Sequence, residues 1–126
     1  MKYGVVFAWS VIIVLVLSGC AALRVVSFQR DVYPILEDRC LDCHTPPKGK
    51  GYRKTGLSME THQDLMRGTV YGPVVKPGAP KHSVLLMLIE GRADASMRMP
   101  HKKDKPLPPE QIAIIRRWVS QGASDN

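Results

Sequence analysis

The sequence feature that most constrains this chain is RCLDCH, Arg39 to His44, in which two cysteines stand two residues apart with a histidine directly behind them. The 126 residues contain only three cysteines, so this pair takes up most of the sulfur available for covalent bonds. Side chains three positions apart lie on one face of a helical turn. The pair therefore predicts a helical turn that presents two thiols and an imidazole to a single bound group.

The third cysteine, Cys20, closes an almost wholly apolar stretch from Val5 to Leu17. That stretch is shorter than the roughly 20 apolar residues of a membrane-spanning helix, and it is typical of the apolar part of an export signal. Its end, LSGC, resembles a bacterial lipoprotein box. We therefore predict that residues 1–19 are a signal peptide, that Cys20 carries a lipid, and that residues 20–27 form a short tether. An uncleaved N-terminal helical anchor is the alternative.

Outside the reducing cytosol, the Cys40–Cys43 pair could serve as a redox dithiol, a zinc site or the covalent attachment site of a haem. A thioredoxin-like dithiol would follow a strand, and no strand-like run precedes Cys40. Zinc needs four ligands, and the remaining histidines are spread along the chain rather than paired: His62, His82 and His101. Haem accounts for the whole motif, because both thiols can form thioethers to one porphyrin while His44 binds its iron. The sequence favours haem, with dithiol and zinc as alternatives.

Apolar residues recur at helical spacing in four short segments. The first leads into the cysteine pair. Ser27 or Asp31 could cap it, and Asp31 is favoured because Pro34 then falls in the first turn, where proline is tolerated. The other three helices are predicted at about 59–66, at 83–90 and from 108 to 121.

The segments between these helices are rich in proline, glycine and lysine, and they predict exposed loops. One of them, TPPKGKGYRKTG, runs from Thr45 to Gly56 directly after the motif. The expected fold is all-α, with one domain over residues 28–123 and a short tail at 124–126. So short a chain buries a modest core by itself, so we expect the haem to complete that core.

A second axial ligand for the iron would come from SMRMPH, residues 96–101. Met99 is preferred, because methionine sulfur is a soft ligand and a following proline favours an extended backbone that could direct the thioether inward. Met97 is an alternative, and so is His101, which would give a bis-histidine haem of lower potential. The other methionines are expected to be packing residues. Two histidines are expected on the solvated surface: His62 and His82.

With these residues in hand, the chain from about Phe28 to Ala123 resembles the cytochrome c domain of planctomycete bacteria, a branch of the c-type cytochromes. The matching segments are VYPILEDRCLDCH, GLSMET, KPGAPKHSVLLMLI and RMPHKKDKPLPPEQIAIIRRWVSQGA. The family pattern usually has a second proline after Met-Pro, where this chain has His101. The resemblance implies a class I-like cytochrome c fold with about four short helices around one covalent haem c. It also implies the haem-binding residues: Cys40 and Cys43 for the thioethers, His44 as proximal ligand and Met99 as distal ligand.

We expect an electron carrier rather than an enzyme, because a haem with both axial positions filled has no open site for substrate. The alternative is a haem-based sensor or small-ligand binder, in which carbon monoxide or nitric oxide displaces Met99. A small peroxidase would need a vacant axial position and a distal acid–base residue, for which His101 is the only candidate.

The chain carries a formal net charge of +7, which suits an acidic redox partner or an anionic membrane surface. Nucleic acid is not expected, because the basic residues show no aromatic interleaving. We expect an exported lipoprotein facing the periplasm or the cell exterior. Two basic groups could steer an acidic partner, or could be solvated loops: Lys48, Lys50, Arg53 and Lys54 after the motif, and Lys102, Lys103 and Lys105 after the distal candidates.

Overall fold

The structure is a computed structural model that describes residues 24–101 and 105–126. Within those residues the predicted all-α fold is confirmed: there is no β-strand, and the only pairing of that kind is an isolated bridge between Thr69 and Gly72. The predicted signal peptide and Cys20 lie outside the described residues. None of the helices described is both long and apolar enough to span a membrane.

The elements are a π-helical turn Phe28–Val32, α1 Tyr33–Arg39, α2 Lys50–Thr55, α3 His62–Arg67, α4 Val84–Ile89 and α5 Pro109–Ser120, with 3-10 turns at Pro80–His82 and Ala95–Met97.

Ser27 caps the first helix, so the preference for Asp31 was wrong. The Ser27 hydroxyl oxygen accepts a hydrogen bond from the N–H of Arg30 at 3.2 Å, and the Asp31 carboxylate accepts one from the N–H of Ser27 at 2.8 Å. The wide π-helical turn lets the helix begin one turn early and still leaves Pro34 in the first turn of α1. The two candidates therefore act together, one as the cap and the other as its reciprocal acceptor.

Three rings form the aromatic centre of the core. Phe28 and Trp118 lie 5.5 Å apart between ring centroids, and His62 meets them edge-on at 5.0 and 5.9 Å. The Nε2 atom of His62 donates a hydrogen bond to the carbonyl oxygen of Ala123, 2.7 Å away. The prediction that His62 is a solvated surface residue was therefore wrong. Its ring is half-buried, because an imidazole can pack between apolar rings while its nitrogen satisfies a backbone carbonyl.

The last helix, α5, packs on α4 and on the π-helical turn. Its buried residues Ile115, Trp118 and Val119 follow the predicted apolar stripe. Glu90, at the end of α4, joins the two helices by accepting a hydrogen bond from Arg116 at 2.9 Å and another from Arg92. Partial burial opposes ionisation, but the two guanidinium groups hold the pKa of Glu90 below its usual value.

The two ends of the described chain are hydrogen-bonded to each other. The N–H of Val26 donates to the Gln121 side chain at 2.8 Å, and the N–H of Phe28 donates to the Asn126 side chain at 3.0 Å. Val26 and Ser27 are buried. The described part of the predicted tether and the predicted C-terminal tail therefore pack against the domain; the domain limits themselves stay a prediction.

Candidate functional site

The cysteine pair lies on a hydrogen-bonded turn directly after α1, which ends where the backbone of Cys40 leaves the helical region with a φ of −130°. The N–H groups of Cys43 and His44 both donate to the carbonyl oxygen of Cys40, at 3.1 and 2.9 Å. Cys40 is half-buried and Cys43 is exposed. This turn places the two sulfur atoms and the imidazole within five consecutive residues, next to the apolar core that Cys40 contacts.

His44 is buried, with 8% of its surface exposed, and its ring is held by the backbone. Its Nδ1 atom lies 3.3 Å from the carbonyl oxygen of Leu57. Because a carbonyl oxygen only accepts, the proton belongs on Nδ1 and the lone pair on Nε2 is left for a metal. Burial lowers the pKa of His44, against the smaller opposing effect of the Leu57 hydrogen bond. A neutral imidazole oriented by a carbonyl is the form in which histidine binds iron.

Gly51 lies against the face of this imidazole. A Cβ atom at Gly51 would stand 2.6, 2.8 and 2.9 Å from Cε1, Nε2 and Nδ1 of His44, closer than real Cβ contacts allow. Glycine is therefore what lets the backbone of α2 approach the ring. The backbone of α2 is also tied to the motif, because the N–H of Tyr52 donates to the carbonyl oxygen of Cys43 at 3.0 Å.

The prediction of a loop from Thr45 to Gly56 was wrong in its second half, where α2 forms. The sequence of α2, KGYRKT, has little helical pattern of its own, and it becomes helical because it covers His44. Gly56 ends the helix in the left-handed conformation, with φ of 73°, as a glycine at that position commonly does.

The burial of Cys40 argues against the redox-dithiol alternative. Desolvation raises the pKa of the Cys40 thiol to about 11, although the charge of Arg39 opposes this. Reactive dithiols need the reverse, a lowered pKa that yields thiolate at neutral pH. In residues 24–101 and 105–126, no three His, Cys, Asp or Glu side chains are grouped to hold a metal ion, so the zinc alternative finds no ligand set there.

The three candidates for the distal ligand differ in their surroundings. Met99 is half-buried and packs against the hydrophobic core, and its N–H donates to the carbonyl oxygen of Leu88 at 3.2 Å. Met97 is 53% exposed, and His101 is exposed. Of the three, only Met99 has a side chain that is already directed into the protein.

Arg39 links the motif to the segment beyond the distal candidates, because its guanidinium donates a hydrogen bond to the carbonyl oxygen of Lys105. Lys105 is exposed, as are the four predicted basic residues after the motif, whereas Lys102 and Lys103 lie outside the described residues. Sequence reasoning found the motif but gave no role to three residues that support it: Arg39, Gly51 and Leu57. Apolar periodicity marks none of the three. The only hint in the sequence concerns Gly51, which lies in a lysine- and glycine-rich stretch whose backbone could approach a neighbouring group closely.

A family model described as Planctomycete cytochrome C matches residues 40–103, about half of the chain. The match begins at the first cysteine of the motif and includes His44 and all three distal candidates. It is shorter than the resemblance over 28–123, and leaves out α1 and α5. No curated protein and no solved structure matches the chain.

Proposed function

The chain belongs to the planctomycete cytochrome C family, and we propose that it is a monohaem c-type cytochrome that carries single electrons between redox partners outside the cytoplasm. Membership of the family implies a haem and haem-based electron transfer. The covalent attachment, the ligands and the partners are our proposal. The observation that carries it is the buried His44, whose Nδ1 is engaged by Leu57 and whose Nε2 is left as a ligand, in a turn that also presents two thiols.

The residues of the site fit a haem in distinct roles. Cys40 and Cys43 would hold it by thioethers, and His44 would bind its iron through Nε2. Met99 is proposed as the second axial ligand, supported by its contact with the core. The haem supplies an iron that changes between the ferric and ferrous states. Around it, the carbonyl of Leu57 and the backbone at Gly51 fix the orientation of the imidazole, as supporting groups do at metal sites.

An electron carrier is favoured over an enzyme by the proposed ligand pair. With His44 and Met99 both bound, no coordination position is open to a substrate. A soft thioether opposite an imidazole also raises the reduction potential. The role of the polypeptide is then to keep both ligands in place in either oxidation state. The packing of His44 and its hydrogen bond favour this.

We further propose that the protein is exported and held at a membrane by a lipid on Cys20. The support is in the sequence: a short apolar stretch that ends in LSGC. One haem would take up the other two cysteines, so Cys20 has no proposed partner other than the lipid. The net charge of +7 is complementary to an acidic redox protein, the partner that we propose.

Intact-mass measurement tests the covalent haem. Protein produced together with a haem-attachment apparatus is expected to show the mass of one porphyrin beyond that of the polypeptide and its acyl groups. A Cys40→Ser/Cys43→Ser variant is the control and should lose that increment. A wild-type mass equal to the bare acylated polypeptide would overturn the proposal.

Replacement of Met99 tests the distal ligand. In an optical and redox titration, Met99→Ala is expected to abolish the methionine-to-ferric-iron charge-transfer band and to lower the reduction potential by on the order of 0.1 V. Met97→Ala is the matched control and should change neither. A band that survives in Met99→Ala but is lost in Met97→Ala moves the ligand to Met97, and a wild-type protein without the band points to His101.

A further inference from the structure

We propose that a redox partner with an acidic contact face and an apolar centre docks on the turn Thr69–Gly72, here called the Tyr71 turn, together with the last turn of α2. This inference rests on the proposed electron-carrier function and adds to it the place where the partner binds. It uses residues that neither the motif nor the distal segment contains.

The Tyr71 turn exposes two large apolar side chains that are consecutive in sequence. Val70 is 74% exposed and Tyr71 is 84% exposed. They occupy the two central positions of a tight turn, where glycine, asparagine, aspartate and proline are the usual residues. Neither turn chemistry nor burial explains a valine and a tyrosine there. Such conflicts between local preference and structure are expected at functional positions, and tyrosine is among the residues enriched at protein interfaces.

The backbone of the Tyr71 turn is held by four hydrogen bonds between its own residues. Thr69 and Gly72 exchange N–H to carbonyl bonds of 2.9 and 3.1 Å. The Thr69 hydroxyl donates to the carbonyl oxygen of Gly72 at 3.1 Å and accepts from the N–H of Tyr71 at 3.0 Å. The tyrosine is therefore presented from an ordered backbone, which reduces the entropy lost when a partner binds.

Positive charge borders this apolar tip. The N–H of Val70 donates to the carbonyl oxygen of Thr55 at 2.8 Å, which places the turn at the end of α2. The preceding residues, Arg53 and Lys54, are exposed, and α2 contains no acidic residue. An apolar centre with a cationic border is complementary to a partner with an apolar centre and an acidic border. Two apolar side chains offer little area for insertion into lipid, which favours a protein over a membrane surface.

Hydrogen bonds through Thr55 and Leu57 connect the Tyr71 turn to the imidazole of His44. The hydroxyl oxygen of Thr55 accepts from the N–H of Leu57 at 3.3 Å, and the carbonyl oxygen of Leu57 lies 3.3 Å from Nδ1 of His44. A partner on the Tyr71 turn would therefore stand one residue, Thr55, away from the segment that holds the proximal histidine. Docking at this place would therefore put the partner beside the segment that orients His44.

The test is stopped-flow reduction of the haem-loaded full chain by fully reduced flavodoxin, a small acidic protein. Each flavin loses one electron and the ferric iron gains it. At low ionic strength, Tyr71→Ser is expected to lower the second-order rate constant about five- to tenfold, because the apolar anchor is lost while an exposed side chain leaves the fold intact. Val25→Ser removes another exposed apolar side chain, 59% exposed and outside the Tyr71 turn, and should change the rate less than about twofold. Arg53→Gln/Lys54→Gln should slow the reaction at low salt only.

Oxidation of the reduced protein by ferricyanide, a small ion that needs no docking face, separates the possible failures. Wild type and Tyr71→Ser should react with ferricyanide equally. If Tyr71→Ser leaves the flavodoxin rate unchanged, or if Val25→Ser lowers it as much, the docking proposal is wrong. It is also wrong if Tyr71→Ser weakens only the binding to phosphatidylglycerol vesicles, which would assign the turn to a membrane. Wild-type protein that reacts with ferricyanide but not with flavodoxin overturns the docking alone, and protein that reacts with neither overturns the proposed function.

Discussion

Trp118→Ala is expected to destabilise the haem-loaded protein by about 3–5 kcal/mol. Trp118 is 1% exposed, its ring faces Phe28 at 5.5 Å, and its indole N–H donates to the carbonyl oxygen of Ser124 at 2.9 Å. Its removal leaves a large cavity and takes away the contact that holds the first helical turn on α5. Whole domains are stable by only about 5–15 kcal/mol. Chemical denaturation followed by circular dichroism measures the change.

Trp118→Phe separates the two contributions of the indole. Phenylalanine keeps a ring against Phe28 but leaves the Ser124 carbonyl without its donor, so about 1–2 kcal/mol should be lost. If Trp118→Ala costs less than about 1 kcal/mol, the Phe28–Trp118 contact is not what holds the first helical turn on α5.

Gly51→Ala is expected to destabilise the protein although it improves the helical propensity of α2. Alanine in a helix interior gains about 1 kcal/mol over glycine, but the new Cβ would stand 2.6 Å from the nearest ring atom of His44. The ring is buried and held by Leu57, so either the imidazole or α2 must move. Overpacking of this kind typically costs about 1–3 kcal/mol. We expect a lower midpoint of thermal unfolding together with a shifted reduction potential and an altered Soret spectrum, because the moved group is the proposed iron ligand.

Lys54→Ala is the matched control for Gly51→Ala, since it changes an exposed residue of the same helix and places no atom on the ring. Its spectrum and potential should equal those of the wild type. A Gly51→Ala protein that is more stable than the wild type, with an unchanged spectrum, would show that the glycine has no part in positioning His44.

The helices that carry a clear apolar stripe were predictable from the sequence. α5 has Ile115, Trp118 and Val119 on one face, and α4 buries Leu85, Leu86 and Ile89, so their local pattern and their packing agree. α2 was not predictable, because KGYRKT has no apolar face and its helix depends on contacts with Cys43 and His44.

The candidate site divides in the same way. The two cysteines and His44 are neighbours in sequence, so their chemistry could be inferred from spacing alone. Leu57 and Gly51 reach His44 only because the chain folds back over it, and no periodic pattern records such a contact. His62 was misjudged for a related reason: its neighbours in sequence are polar, while its neighbours in space are Phe28 and Trp118.

The hydrogen bonds at the start of the described chain would also limit how far the protein can move if Cys20 carries the proposed lipid. Arg24 already belongs to the rigid body, through a 2.8 Å ion pair with Asp31 and a bond from Gln121 to its carbonyl oxygen. With a lipid on Cys20, as proposed, the four residue steps from Cys20 to Arg24 would span at most about 14 Å between the bilayer and the folded domain. Such a carrier would not shuttle across an aqueous gap. Its encounters would be governed by lateral diffusion, and soluble partners would have to come to the lipid surface to meet it.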